Sequence, residues 1–98
     1  MRKSYITKRE IAKAEKILKR LNEVKFGIRN HLEAMCDCSV THDDRQDEGK
    51  AFMDRLFGAL EIMYDLELVS FEEENLLSRY FINKRVEKRS AKRHERVA

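Results

Sequence analysis

Ile11, Leu18, Lys25 and Leu32 stand seven residues apart, and Ala14, Leu21, Ile28 and Met35 form a second line with the same spacing. Ile17 and Val24 widen the stripe. Repetition at seven returns a side chain to the same side of an α-helix, so the spacing predicts one long helix over residues 8–36 with a coiled-coil-like seam. At about 1.5 Å per residue that helix would run about 43 Å. Short neighbours cannot cover so long a seam. Self-association through Ile11, Ala14, Leu18, Leu21, Ile28 and Leu32 is the expected remedy, giving a homodimer or higher oligomer. Thr7-Lys8-Arg9-Glu10 precedes the stripe with the form of a capping box, in which a threonine and a glutamate three residues later satisfy each other's backbone N–H groups.

Cys38-Ser39-Val40-Thr41 breaks the pattern. Ser39 or Thr41 can cap a second helix, and Asp43 and Asp44 suit its first turn through the helix dipole. This helix is expected over residues 42–67. Its wide apolar face, Phe52, Met53, Leu56, Phe57, Leu60, Met63 and Tyr64, makes it the centre of the core. Ala51 and Gly58, seven apart, would permit close helix approach. Ser70-Phe71-Glu72-Glu73 is a second capping box. Residues 66–69 are therefore a tight connection. A third helix follows over 71–92, burying Leu76, Leu77, Tyr80 and Phe81, with Ile82 and Val86 at its margin. Residues 93–98 form a basic tail. The expected fold is all-α, a three-helix domain over residues 1–98 with a long first helix and an antiparallel helix pair.

Composition agrees. The chain has no proline, three glycines, 40% charged and 42% hydrophobic residues, which suits helices with one buried stripe each. Ninety-eight residues make one small domain, marginal as a monomer. No apolar run approaches the roughly 18 residues that a membrane span needs. The basic start Met1-Arg2-Lys3-Ser4-Tyr5 is followed by no apolar signal segment. An intracellular, cytoplasmic protein with reduced thiols at Cys36 and Cys38 is expected.

Charge is segregated along the chain. Residues 1–30 carry ten Lys/Arg against three Asp/Glu, residues 31–83 four against thirteen, and residues 84–98 seven against two. The net charge of +3 hides this basic–acidic–basic order. Three basic pairs, Lys84-Arg85, Lys88-Arg89 and Lys92-Arg93, recur every four residues, and Arg96 extends them. On a helix that spacing drifts by about 40° per step and gives a broad basic stripe, able to neutralise phosphates. No aromatic lies in 84–98 to stack on a base. The stripe would equally answer the acidic block of the same chain.

Lys8, Arg9, Lys13, Lys16, Lys19 and Arg20 crowd the first helix. Packing against the acidic second helix explains them more simply than a membrane surface, since the face lacks Trp and is interrupted by Lys25. Asp47, Asp54 and Glu61 repeat every seven residues with Asp65 beside them. Such a row is a solvated face, or an array that imitates a nucleic-acid backbone and occupies a basic site on a partner. His31, Cys36, Cys38 and His42 bring four zinc-type ligands within twelve residues. Only Asp37 separates the two cysteines, too little for an unstrained chelating knuckle.

No phosphate-binding glycine loop is present, since Gly27, Gly49 and Gly58 stand alone, and no nucleophile elbow, HExxH or EF-hand pattern appears. No cofactor and no small-molecule substrate are expected. The expected function is that of a non-enzymatic helical interaction protein, a regulator, inhibitor or accessory factor that docks on a protein partner. In size, charge density and lack of motifs the chain resembles the compact accessory proteins of phages and mobile elements. One alternative is a nucleic-acid-binding protein using residues 84–96 and the basic first helix. Another is an acidic inhibitor using Asp47, Asp54, Glu61 and Asp65.

Overall fold

Thr7 opens the first helix in the expected way. Its Oγ1 accepts from the Glu10 backbone N–H at 3.1 Å, and the Glu10 carboxylate accepts from the Thr7 N–H at 3.1 Å. The computed structural model of the chain describes residues 6–41 and 46–97, with side chains over 6–41 and 49–91. Within these residues the chain is all-helical: α1 Lys8–Val24, α2 Ile28–Thr41, α3 Gln46–Asp65 and α4 Phe71–Val97. There are four helices, not the expected three. The stripe over 8–36 is divided between α1 and α2.

The division lies at Lys25–Gly27. Lys25 leaves the helix with φ −142° and ψ 107°. Gly27 turns the chain with φ 93°, a region costly to any residue with a Cβ. Asn22 Oδ1 accepts from the Gly27 N–H at 3.0 Å and holds the corner closed. The break answers the burial problem posed by the seam. Folded back, α1 and α2 cover each other's apolar stripe without a second chain.

Ala14, Leu18, Leu21 and Leu32 are accordingly inaccessible to solvent, and Ile11 and Ile28 are half-buried against the same core. This corrects the expected oligomer seam: four of its six residues, Ala14, Leu18, Leu21 and Leu32, are interior to one chain. Burying one such Leu or Ile contributes about 1.5–3 kcal/mol. Val24 does not widen the stripe. It stands at the corner and is 62% exposed.

Pairings between helices fix the topology. Glu10 meets Arg79 and Arg20 meets Glu73, so α1 and α4 run antiparallel. Glu33 meets Lys84 and Asp37 meets Lys88, so α2 and α4 run parallel. The result is an up-down four-helix bundle. Among the described residues α1 touches α2 and α4 but not α3, while α2 touches all three others. The bundle is therefore flattened, with α2 and α4 close across one diagonal and α1 and α3 at opposite corners. Phe81, Leu56, Leu60 and Leu77 complete the interior with the α1 and α2 leucines.

Other boundaries shift too. Ser39 and Thr41 cap nothing. They lie in the last turn of α2, where Ser39 Oγ donates to the Cys36 carbonyl at 2.6 Å and Thr41 Oγ1 to the Asp37 carbonyl at 3.0 Å. The second long helix is described from Gln46, and the start expected at residue 42, with Asp43 and Asp44, falls outside the described residues. Gly58 makes no close approach, since a Cβ there would meet nothing within 4 Å, and Ala51 is exposed. Tyr64, expected inside, is 41% exposed. The tail expected at 93–98 continues α4 to Val97.

α3 ends in a Schellman motif. The Leu68 N–H donates to the Met63 carbonyl at 2.8 Å and the Glu67 N–H to the Tyr64 carbonyl at 2.9 Å, with Glu67 left-handed at φ 62°. Ser70 then caps α4. Its Oγ accepts from the Glu73 N–H at 3.1 Å, and Glu73 Oε1 accepts from the Ser70 N–H at 2.9 Å. The expected tight connection at 66–69 is thus built from two back-to-back terminal motifs.

Candidate functional site

The up-down topology brings the α1–α2 corner and the α3–α4 turn to the same end of the bundle. This end carries six of the seven large apolar side chains that are exposed among the described residues. Val24 and Phe26 come from the corner, Ile62, Tyr64 and Leu66 from the end of α3, and Phe71 from the start of α4. Phe26 is 87% exposed and Leu66 65%. Tyr64 and Phe71 meet edge to face with ring centroids 6.1 Å apart. Single exposed apolar residues are ordinary on a protein surface, whereas their concentration at one end is not.

Arg20 ties α1 to the α3–α4 turn. It donates to Glu73 Oε2 from Nη1 at 2.9 Å, to Glu73 Oε1 from Nη2 at 3.1 Å, and to the Leu68 carbonyl from Nη2 at 3.0 Å. One guanidinium of α1 therefore holds both the α3–α4 turn and the first turn of α4. The Arg20 hydrogen bonds lower the Glu73 pKa, helped by the Ser70 N–H and opposed by partial burial. Beside this clamp is an open cleft of about 680 Å³ lined by Arg20, Tyr64, Asp65, Glu67, Val69 and Glu73. Its cationic group is already engaged by protein oxygens.

The basic stripe of α4 faces inward over much of its length. Lys84 donates to Glu33 at 3.1 Å and lies over the Tyr80 ring, and Lys88 pairs with Asp37. Arg85 donates from Nε to Ser39 Oγ at 3.1 Å, and Arg89 is half-buried. Three of the seven basic residues, Lys84, Arg85 and Lys88, are thus turned toward α2. Lys92, Arg93 and Arg96 lie outside the described side chains. Lys84 and Arg29 lower the Glu33 carboxyl, outweighing the burial that would raise it.

The cations of α1 are arranged differently. Its buried side holds Ala14, Ile17, Leu18 and Leu21, and its outer side carries Lys8, Arg9, Lys13, Lys16 and Lys19, all exposed. Asp54, Glu61 and Asp65 are exposed on α3, at the opposite corner, with Lys50 one turn before Asp54 on the same side. The Asp47 side chain lies outside the described set. The basic α1 does not pack against the helix that carries this row, contrary to expectation.

Among the described residues the zinc-type ligands do not converge. Cys36 is buried and its thiol lies 3.6 Å from the Phe81 carbonyl, while His31, five residues earlier on α2, is exposed. Burial raises the Cys36 pKa. No group of three or more His, Cys, Asp or Glu able to hold a metal occurs among the described residues, and His42 lies outside them. No described helix is long and apolar enough to cross a membrane.

The residues missed from sequence are Phe26, Ile62, Leu66 and Phe71. Phe26 is off the heptad lines and next to Gly27, a pairing that signals a corner. Leu66 and Phe71 flank the Ser70 cap, where apolar residues have no helical face to join. No protein-family model, curated protein or solved structure matches the chain.

Proposed function

We propose that the chain is a non-enzymatic helical interaction protein, a regulator, inhibitor or accessory factor, that docks on a protein partner through the bundle end formed by residues 24–26, 62–66 and 71. The observation that carries this reading is the gathering of Val24, Phe26, Ile62, Tyr64, Leu66 and Phe71 at one end, six of the seven large exposed apolar residues described. A few buried anchors, aromatic ones above all, carry most of the free energy of a typical protein interface, and the apolar contacts around them exclude water. The end is also pre-organised. Gly27 and Asn22 fix one turn, the Schellman motif and Ser70 cap fix the other, and Arg20 ties the second to α1. Little ordering entropy then remains to be lost on docking.

The test compares capture of proteins from the source cell by the wild-type chain and by a Phe26→Ser/Leu66→Ser variant, with and without nuclease. The expected result is a protein retained by wild type in both conditions and lost by the variant, whose helical circular dichroism is unchanged. Equal retention by a folded variant, or capture that disappears with nuclease, overturns the reading. Sedimentation of the isolated chain shows whether the partner is a second copy.

A further inference from the structure

We propose that the outer side of α1 is a second, independent binding surface, one that contacts the phosphate backbone of double-stranded nucleic acid without regard to sequence. Lys8, Arg9, Lys13, Lys16 and Lys19 are all exposed on it. Projected at 100° per residue, they fall within about 140° of arc, opposite the buried Ala14, Ile17, Leu18 and Leu21. Of the three acids of α1, Glu10 and Glu15 fall outside this arc and Glu23 falls inside it. Glu10 turns to Arg79, Glu15 is nearest Arg29 at 4.0 Å, and Glu23 stands one turn beyond Lys19.

Among the described residues no ion pair joins these five cations to an acid, whereas Lys84 and Lys88 of α4 each hold one. The described part of the C-terminal stripe thus spends Lys84 and Lys88 on acids of α2, while the five cations of α1 face solvent. Lys8 and Lys19 are separated by about 17 Å of helix axis, a length over which one strand of B-form duplex presents about five phosphates.

The same face disfavours the other polyanions. A lipid surface needs an apolar stripe beside the cations, and that of α1 is inside the bundle. A single strand is usually gripped by aromatic stacking, and the row contains no aromatic. An acidic protein remains as a competing occupant, which the experiment separates.

The experiment is fluorescence anisotropy of a labelled mixed-sequence 20-base-pair duplex titrated with the full chain across salt. Five phosphate contacts predict a slope of log K against log salt of about −4.5, and about a 500-fold loss of affinity between about 50 and 200 mM salt. Lys13→Gln/Lys16→Gln is expected to bring the slope to about −2.7 and weaken binding equally on unrelated sequences. Lys92→Gln/Arg93→Gln is expected to leave the slope unchanged, as is Phe26→Ser/Leu66→Ser, whose effect belongs to the docking end alone. The proposal is overturned if the tail variant and not the α1 variant lowers the slope. It is equally overturned if anionic phospholipid vesicles or a poly-glutamate chain bind while the duplex does not, or if none of the three binds at about 50 mM salt.

Discussion

Arg20 on α1 grips both carboxylate oxygens of Glu73 on α4, at 2.9 and 3.1 Å, and the same guanidinium donates to the Leu68 carbonyl. Glu73 is also the capping glutamate that accepts from the Ser70 N–H. One carboxylate thereby serves a helix cap and an interhelical clamp. Arg20 is about half exposed, so solvent screens the pair. Arg20→Ala is expected to lower stability by about 0.5–1 kcal/mol in urea titration. Glu73→Ala removes the capping bond as well and should cost about 1–2 kcal/mol. A double-mutant cycle returning zero coupling would show that the two side chains do not act together.

The pH dependence of stability follows from three carboxylates. Arg20 lowers Glu73, Arg79 lowers Glu10, and Lys84 with Arg29 lowers Glu33 against its partial burial. Each binds its proton more weakly folded than unfolded. Their contribution is therefore fully present above the ordinary carboxylate value of 4.5 and is lost as pH falls through the lower folded values. Thermal unfolding should show a plateau near neutrality and a decline in Tm below about pH 5, shallower in Glu73→Gln.

The two turns respond oppositely to glycine chemistry. Glu67 occupies the left-handed C′ position at φ 62°, where glycine is the usual residue. Glu67→Gly should stabilise by about 0.5–1 kcal/mol. Gly27→Ala should destabilise by about 1–2 kcal/mol, because φ 93° strains any Cβ even though space is open there. Urea midpoints of the two variants, moving in opposite directions, check both assignments.

The two thiols should differ in reactivity. Cys36 is 1% exposed with a raised pKa, which suppresses its thiolate, while Cys38 is partly exposed. A thiol reagent at pH 7.5 should modify Cys38 first, with Cys36 reacting only as the chain unfolds. Equal rates in the native state would place Cys36 outside the core.

Much of the fold was legible in short-range chemistry. Thr7 with Glu10 and Ser70 with Glu73 announced two helix starts, and Leu18, Leu21, Leu32, Leu56, Leu60, Leu77 and Phe81 announced the core. The corner at Lys25–Gly27 was hidden because α1 and α2 face one core. Their apolar residues therefore keep a seven-residue spacing across the break, as a continuous helix would. The seam then looked like a surface, and its burial inside one chain changes an expectation. Leu21→Asp should unfold the chain, not dissociate an oligomer, since it places a charge at a position with no solvent access. The docking end was not legible, because Phe26 and Leu66 come to the same end of the bundle only through the up-down topology.

Photo-crosslinking tests the docking end most directly. A benzophenone amino acid is placed at position 26, 66 or 54, and the irradiated source-cell extract is resolved by mass. Adducts of one common protein are predicted from positions 26 and 66, and none from the α3 face at 54. Adducts from 54 alone, or from none of the three while the chain still retains a partner, would contradict a docking surface built on Phe26 and Leu66.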